Sequence, residues 1–171
     1  MKMKKILVLI LSAALALTFV SCLAPADSGA QGGKPAKDSK YFFTVASKNN
    51  FAVKIDSDMA DVLAALGEPL KYFEAASCAF EGLDKTYTYA GYIVLTRPDG
   101  KKDYVNSIQL TDDSVTTSEG AYIGMTADAV KGIYGAPTTE NATLITYTDE
   151  NTTLNFVLKD AKVISIEYIP A

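Results

Sequence analysis

The chain has 171 residues, 49% of them apolar and 21% charged, with 16 basic and 20 acidic side chains, two cysteines, no histidine and no tryptophan. That is the composition of one or two small globular domains. The missing histidine removes the commonest general base and metal ligand together, which excludes serine–histidine and cysteine–histidine catalysis and argues against a zinc enzyme site.

The chain opens with Lys2, Lys4 and Lys5, followed by a largely apolar run over residues 6–20. The run is shorter than the roughly 20 residues a bilayer span needs, but it fits the apolar region of a secretory signal peptide over 1–21. At its end, Phe19-Val20-Ser21-Cys22 resembles a bacterial lipobox, in which a small residue precedes the cysteine that is lipidated. The competing reading is ordinary cleavage after Ala24 or Ala26. The lipobox reading makes Cys22 the lipidation site and the mature protein an extracytoplasmic lipoprotein of the cell membrane or envelope. Several acyl chains then supply a stable anchor where one alone is marginal.

Residues 22–40 are rich in Gly, Ala, Pro, Ser and Lys and contain no aromatic residue. Such a segment buries too little apolar surface to order itself and reads as a tether with a reach on the order of 25 Å. From Tyr41 onward there are 10 basic and 18 acidic side chains, a net −8. That balance opposes binding to nucleic acid and direct adsorption to anionic lipid.

The body is punctuated like an α+β protein. Residues 42–45 and 51–54 suggest an N-terminal strand or hairpin. A helix is expected after Asp58, whose side chain can cap the first free N–H groups. It should present Val62 and Leu66 on one face and stop at Gly67 before Pro69. Strands follow at 86–90, 92–97 and 104–110, with Pro98-Asp99-Gly100-Lys101 as a turn. A second helix is expected from Thr126, with Val130 and Tyr134 on one face, ending at Gly135 before Pro137. Strands at 144–148, 152–158 and 162–169 follow, with Leu154, Phe156 and Leu158, and then Ile164, Ile166 and Tyr168, alternating toward one face.

The segment 55–69 recurs at 123–137, with Ile, Val, Gly and Pro at a common offset. The reading is therefore two tandem helix-plus-antiparallel-β-meander units, at 41–118 and 119–171, with the helices on one sheet face and the other face open. Gly124-Met125-Thr126 through Val130 to Gly135-Ala136-Pro137 resembles the GMT…V…GxP signature of the small lipoprotein BamE/SmpA group. The tandem arrangement resembles the β-lactamase inhibitor protein (BLIP)-like fold. The first copy carries Asp56-Ser57-Asp58 where the signature has Gly-Met-Thr. The resemblance implies a secreted or surface-anchored binding module in envelope assembly or inhibition, and it transfers no contact residue by position.

Asp56, Asp58 and Asp61 cluster at the first helix start, but a calcium loop would need a central glycine and a closing glutamate that are not there. Acidic residues favour a helix N-terminus without a metal. No phosphate-cradling glycine pattern occurs, and no metal or cofactor is expected. Cys78, between Ser77 and Ala79, is expected to be a buried, inert thiol. Among the ten tyrosines Tyr72 and Tyr92, with the neighbouring Phe73, are candidates for an exposed partner-binding surface. The expected function is non-catalytic binding of a protein partner by a membrane-anchored lipoprotein. The alternative is a hydrolase using carboxylates alone, such as a cell-wall glycosidase.

Overall fold

A computed structural model describes residues 38–171. The signal segment 1–21, Cys22 and the tether as far as residue 37 lie outside the described residues.

The described chain begins with a hairpin, β1 (Phe43–Val45) and β2 (Phe51–Val53), joined through a single 3-10 turn at Ala46–Lys48. Helix α1 (Met59–Leu66) leads into β3 (Lys71–Ala76), β4 (Leu83–Tyr89), β5 (Tyr92–Asp99) and β6 (Lys102–Leu110). After a connection without strands come α2 (Ala127–Tyr134), β7 (Thr139–Asn141), β8 (Leu144–Thr148), β9 (Thr152–Lys159) and β10 (Lys162–Pro170).

This architecture corrects the expected fold class. The described residues are mostly β, 47% strand against 14% helix, and they do not form two helix-plus-meander units. Strands β3 to β10 make one continuous antiparallel sheet in the order β3-β4-β5-β6-β10-β9-β8-β7. The join is made by β6 against β10, where Ile108 faces Tyr168 and Leu110 faces Ile166. Two strands unforeseen in the sequence, β3 and β7, form the two edges. Each helix has only eight residues, about two turns, too short to make a layer of its own.

One face of this sheet carries the core. Tyr87, Val94, Ile108, Ile166, Phe156 and Ile145 lie across neighbouring strands on that face, all buried. Met59, Val62 and Leu66 of α1 and Val130 of α2 close over it, and the β1–β2 hairpin adds Phe43, whose ring packs 4.8 Å from Tyr92. The expected alternation holds in β9. In β10 a bulge between Val163 and Ser165 shifts the register, so Val163 is buried and Ile164 is 51% exposed.

The helix ends follow the local chemistry read in the sequence. Asp58 accepts from the Ala60 N–H at 3.0 Å and Thr126 from the Ala129 N–H at 3.3 Å. Gly67 and Gly135 have φ of 77° and 80° with ψ of −168° and −151°, a region open almost only to glycine but not the left-handed helical well. The sheet holds both of these turns, since the Tyr89 hydroxyl donates to the Gly67 carbonyl and the Tyr147 hydroxyl to that of Gly135.

Residues 38–40, placed in the tether by composition, are fastened to the body. The Asp149 carboxylate accepts from the Ser39 hydroxyl at 2.7 Å and the Lys40 N–H at 2.6 Å. Its other oxygen caps the β8–β9 turn by accepting from the Asn151 and Thr152 N–H groups.

Candidate functional site

Strand β3 has all six residues exposed on both faces, although it is paired in register with β4 along its whole length. β3 ends the sheet, with a neighbour on one side only. Around it stand most of the large apolar side chains that the described residues leave in solvent: Leu70 71%, Phe73 65%, Tyr72 51%, Phe80 43% and Leu83 40% exposed. Exposed apolar side chains grouped along a sheet edge, on both of its faces, mark interaction sites more often than isolated ones do.

The ladder fixes which backbone groups are free. The Ser77 N–H donates to the Gly82 carbonyl, and the β3–β4 register continues that pairing through Ala75–Asp84, Phe73–Thr86 and Lys71–Thr88. In an antiparallel pair, alternate residues direct both N–H and C=O to the same neighbour. The amides of Lys71, Phe73 and Ala75 thus turn inward to β4. Those of Tyr72, Glu74 and Ala76 turn outward from the sheet.

The side chains divide the other way. Tyr72 and Glu74 lie on the core side, where the Tyr72 ring packs 5.2 Å from Tyr87 and its hydroxyl donates to the Glu74 carboxylate. That hydrogen bond raises the Tyr72 pKa, so the phenol stays neutral. Phe73 lies on the opposite face, in a row with Thr86 and the half-buried Leu95.

The loop between β3 and β4 is ordered by its own polar groups. The Ser77 hydroxyl accepts from the Ala79 and Phe80 N–H groups. Phe80 lies 5.7 Å from the Arg97 guanidinium, which also faces the Tyr104 ring at 5.5 Å and pairs with Asp56 at 2.9 Å. Cys78 sits in this loop and is exposed, not buried as expected, because the loop extends past the end of the core.

Of the three candidates named from sequence, the structure places Tyr72 and Phe73 together on this exposed edge. Tyr92 is 5% exposed and does not belong to it. It begins β5 on the core side, stacked on Tyr89 at 5.1 Å, and burial pushes its hydroxyl up to about 12. The expectation that it alternated outward failed because Ile93 and Leu95, assumed inward, occupy the open face. Leu70, Phe80 and Leu83 were missed. Their signal was available: apolar residues beside Pro69, Glu81 and Gly82, outside any alternating run.

Two other features stand apart from this edge. A cleft of about 250 Å³ lies beside Phe43, Val45, Ala90, Tyr92, Ser114 and Val115, with hydroxyls but no charge on its wall. Asp56 and Asp58 are engaged by Arg97 and Lys102 at 2.9 and 2.7 Å. The Lys102 hydrogen bond holds the Asp58 carboxyl below the usual range, opposite to the raised value a glycosidase general acid needs. No group of three or more metal-ligating side chains occurs among the described residues.

No protein-family model matches the chain, and no curated protein matches it. Two solved structures are similar in shape. One is an extracellular protein containing an SCP domain from Bacillus anthracis, 14% identical with a TM-score of 0.41, where the match covers 82% of this chain and 49% of that one. The other is a DUF4309 family protein (YjgB) from Bacillus subtilis, 17% identical with a TM-score of 0.40, covering 67% of this chain and 79% of that one. The chain thus spans about half the length of the first. Both scores are too low to bear on fold or function.

Proposed function

We propose that this protein is a membrane-anchored, extracytoplasmic lipoprotein of the cell envelope that acts as a non-catalytic protein-binding module. The observation that carries the binding role is the exposed apolar group of Tyr72 and Phe73 on the edge strand β3 with Leu70, Phe80 and Leu83 around it. The anchoring role rests on the order of Lys2, Lys4 and Lys5, the apolar run 6–20, and Ser21-Cys22. The resemblance of residues 124–137 to the BamE/SmpA signature supports an envelope setting.

The binding role is tested by placing a photoreactive phenylalanine analogue at position 73 in the full chain and irradiating whole cells. A second form carries the analogue at position 164, where Ile164 is also about half exposed but lies on β10. The expected result is a discrete crosslinked protein from position 73 that position 164 does not yield. Identical patterns from the two positions would overturn the reading. For the anchor, a labelled fatty acid fed to cells should appear on the wild-type chain and not on Cys22→Ala.

A further inference from the structure

We infer that the partner bound at this edge is an extended polypeptide segment of alternating basic and apolar residues, which adds to β3 as a ninth strand of the sheet. This rests on the binding role proposed above and specifies its mode.

The backbone supplies the first reason. Tyr72, Glu74 and Ala76 turn their N–H and C=O groups away from β4, six residues of strand with no bulge in the register. β3 carries no proline and no register shift, and a long regular edge templates another strand. Strand addition to a sheet edge is a general mode of peptide capture, in which main-chain hydrogen bonds give affinity and alternate side chains give specificity.

The side chains supply the alternation. A residue set opposite Phe73 falls in a non-hydrogen-bonded pair, where side chains come closest, and it shares the open face with Phe73 and Leu95. That position takes an apolar residue. The positions on either side point to the other face, beside Tyr72 and Glu74, and take a cation. The wider charge agrees. From Glu68 to Lys85, which stands opposite Glu74 in the register and is paired with Asp103, there are four acids (Glu68, Glu74, Glu81, Asp84) and two bases (Lys71, Lys85), so 2 − 4 gives a net −2. A basic segment is attracted to that edge. A second copy of this chain would bring −2 against −2.

The probe is the acetylated, amidated eight-residue peptide (Lys-Val)4, titrated against the full chain in detergent micelles. Amide hydrogen exchange is read at β3. The expected result is protection of the Tyr72 and Glu74 amides on peptide addition. N-methylation of the lysine amides, which face β3 in this register, should weaken binding about tenfold or more. N-methylation of the valine amides, which face solvent, should leave it within about threefold. The (Glu-Val)4 peptide should bind about tenfold or more weaker, and Glu74→Lys should narrow that difference.

Equal effects of the two N-methylated series would overturn strand addition. So would protection of Tyr72 and Glu74 before any peptide is added, with sedimentation showing a dimer, since a second copy would then be the occupant. If position 73 still crosslinks a discrete protein in cells, the binding role stands and only its mode is wrong. If it does not, both fall.

Discussion

Asp149 tests whether the first described residues belong to the folded body. One carboxylate oxygen takes Ser39 Oγ and the Lys40 N–H, and the other takes the Asn151 and Thr152 N–H groups. Burial pushes its pKa up, but these hydrogen bonds outweigh burial and the net shift is downward. At about 0.5–1 kcal/mol net for each of the four partly exposed bonds, Asp149→Ala should cost about 2–4 kcal/mol. Asp149→Asn keeps one oxygen for the turn and turns an amide N–H2 toward Ser39 and Lys40. It should cost about 1–2 kcal/mol and loosen Ser39 and Lys40 while the turn keeps its cap. Urea unfolding gives the energies, and hydrogen exchange at Lys40 gives the location. The pH arm has a definite sign. A carboxyl whose pKa is lowered on folding contributes fully above its unfolded value near pH 4. It loses that contribution as pH falls through the folded value. The gap between wild type and Asp149→Ala should therefore narrow as pH is lowered from about 6 to about 3. A gap below about 0.5 kcal/mol, or one flat across that range, would refute the clamp.

Three further outcomes follow from other parts of the sheet. Gly91→Ala places a Cβ 2.5 Å from Ser114 Oγ and 2.9 Å from Val115 Cγ1 at a φ of 83°, and should cost about 2 kcal/mol or more in urea unfolding. Tyr92→Ala opens the buried contact with Phe43 and Tyr89 and should cost about 3 kcal/mol, whereas Phe73→Ser should change stability by less than about 0.5 kcal/mol. Thr126→Ala removes the α2 cap and should cost about 1 kcal/mol, visible as a lower thermal midpoint.

What was legible in the sequence was local. Asp58 and Thr126 could be identified as caps because a cap depends only on the next three residues, and Gly67 and Gly135 as stops because few other residues adopt their backbone. The alternation of Leu154, Phe156 and Leu158 was legible because β9 is central and one-sided. What was not legible depended on distant partners. Ile166 meets Leu110 across 56 positions, and nothing near either residue announces the pairing that fuses the strands into one sheet. Lys71–Ala76 ends in Glu-Ala-Ala, poor strand formers, and shows no alternation because it is buried on neither face. For the same reason the candidate surface was half found. Tyr72 and Phe73 stood out as aromatic residues outside any expected element, but Tyr92 could be excluded only once the faces of β5 were known.

The sheet also keeps two tasks apart. Residues 38–40 are held at the β8–β9 turn, and β8 lies six strand positions from β3 in the sheet order. At about 4.8 Å for each position, that is roughly 29 Å, well beyond direct contact and several times the range over which substitutions usually couple. Loosening the N-terminal segment with Asp149→Asn should therefore leave peptide binding at β3 unchanged within about 0.3–0.5 kcal/mol, and Phe73→Ser should leave exchange at Lys40 unchanged. Coupling well above that range would mean that the body responds as a whole when the edge is filled. A rigid eight-stranded sheet with one shared core makes independence the expected result.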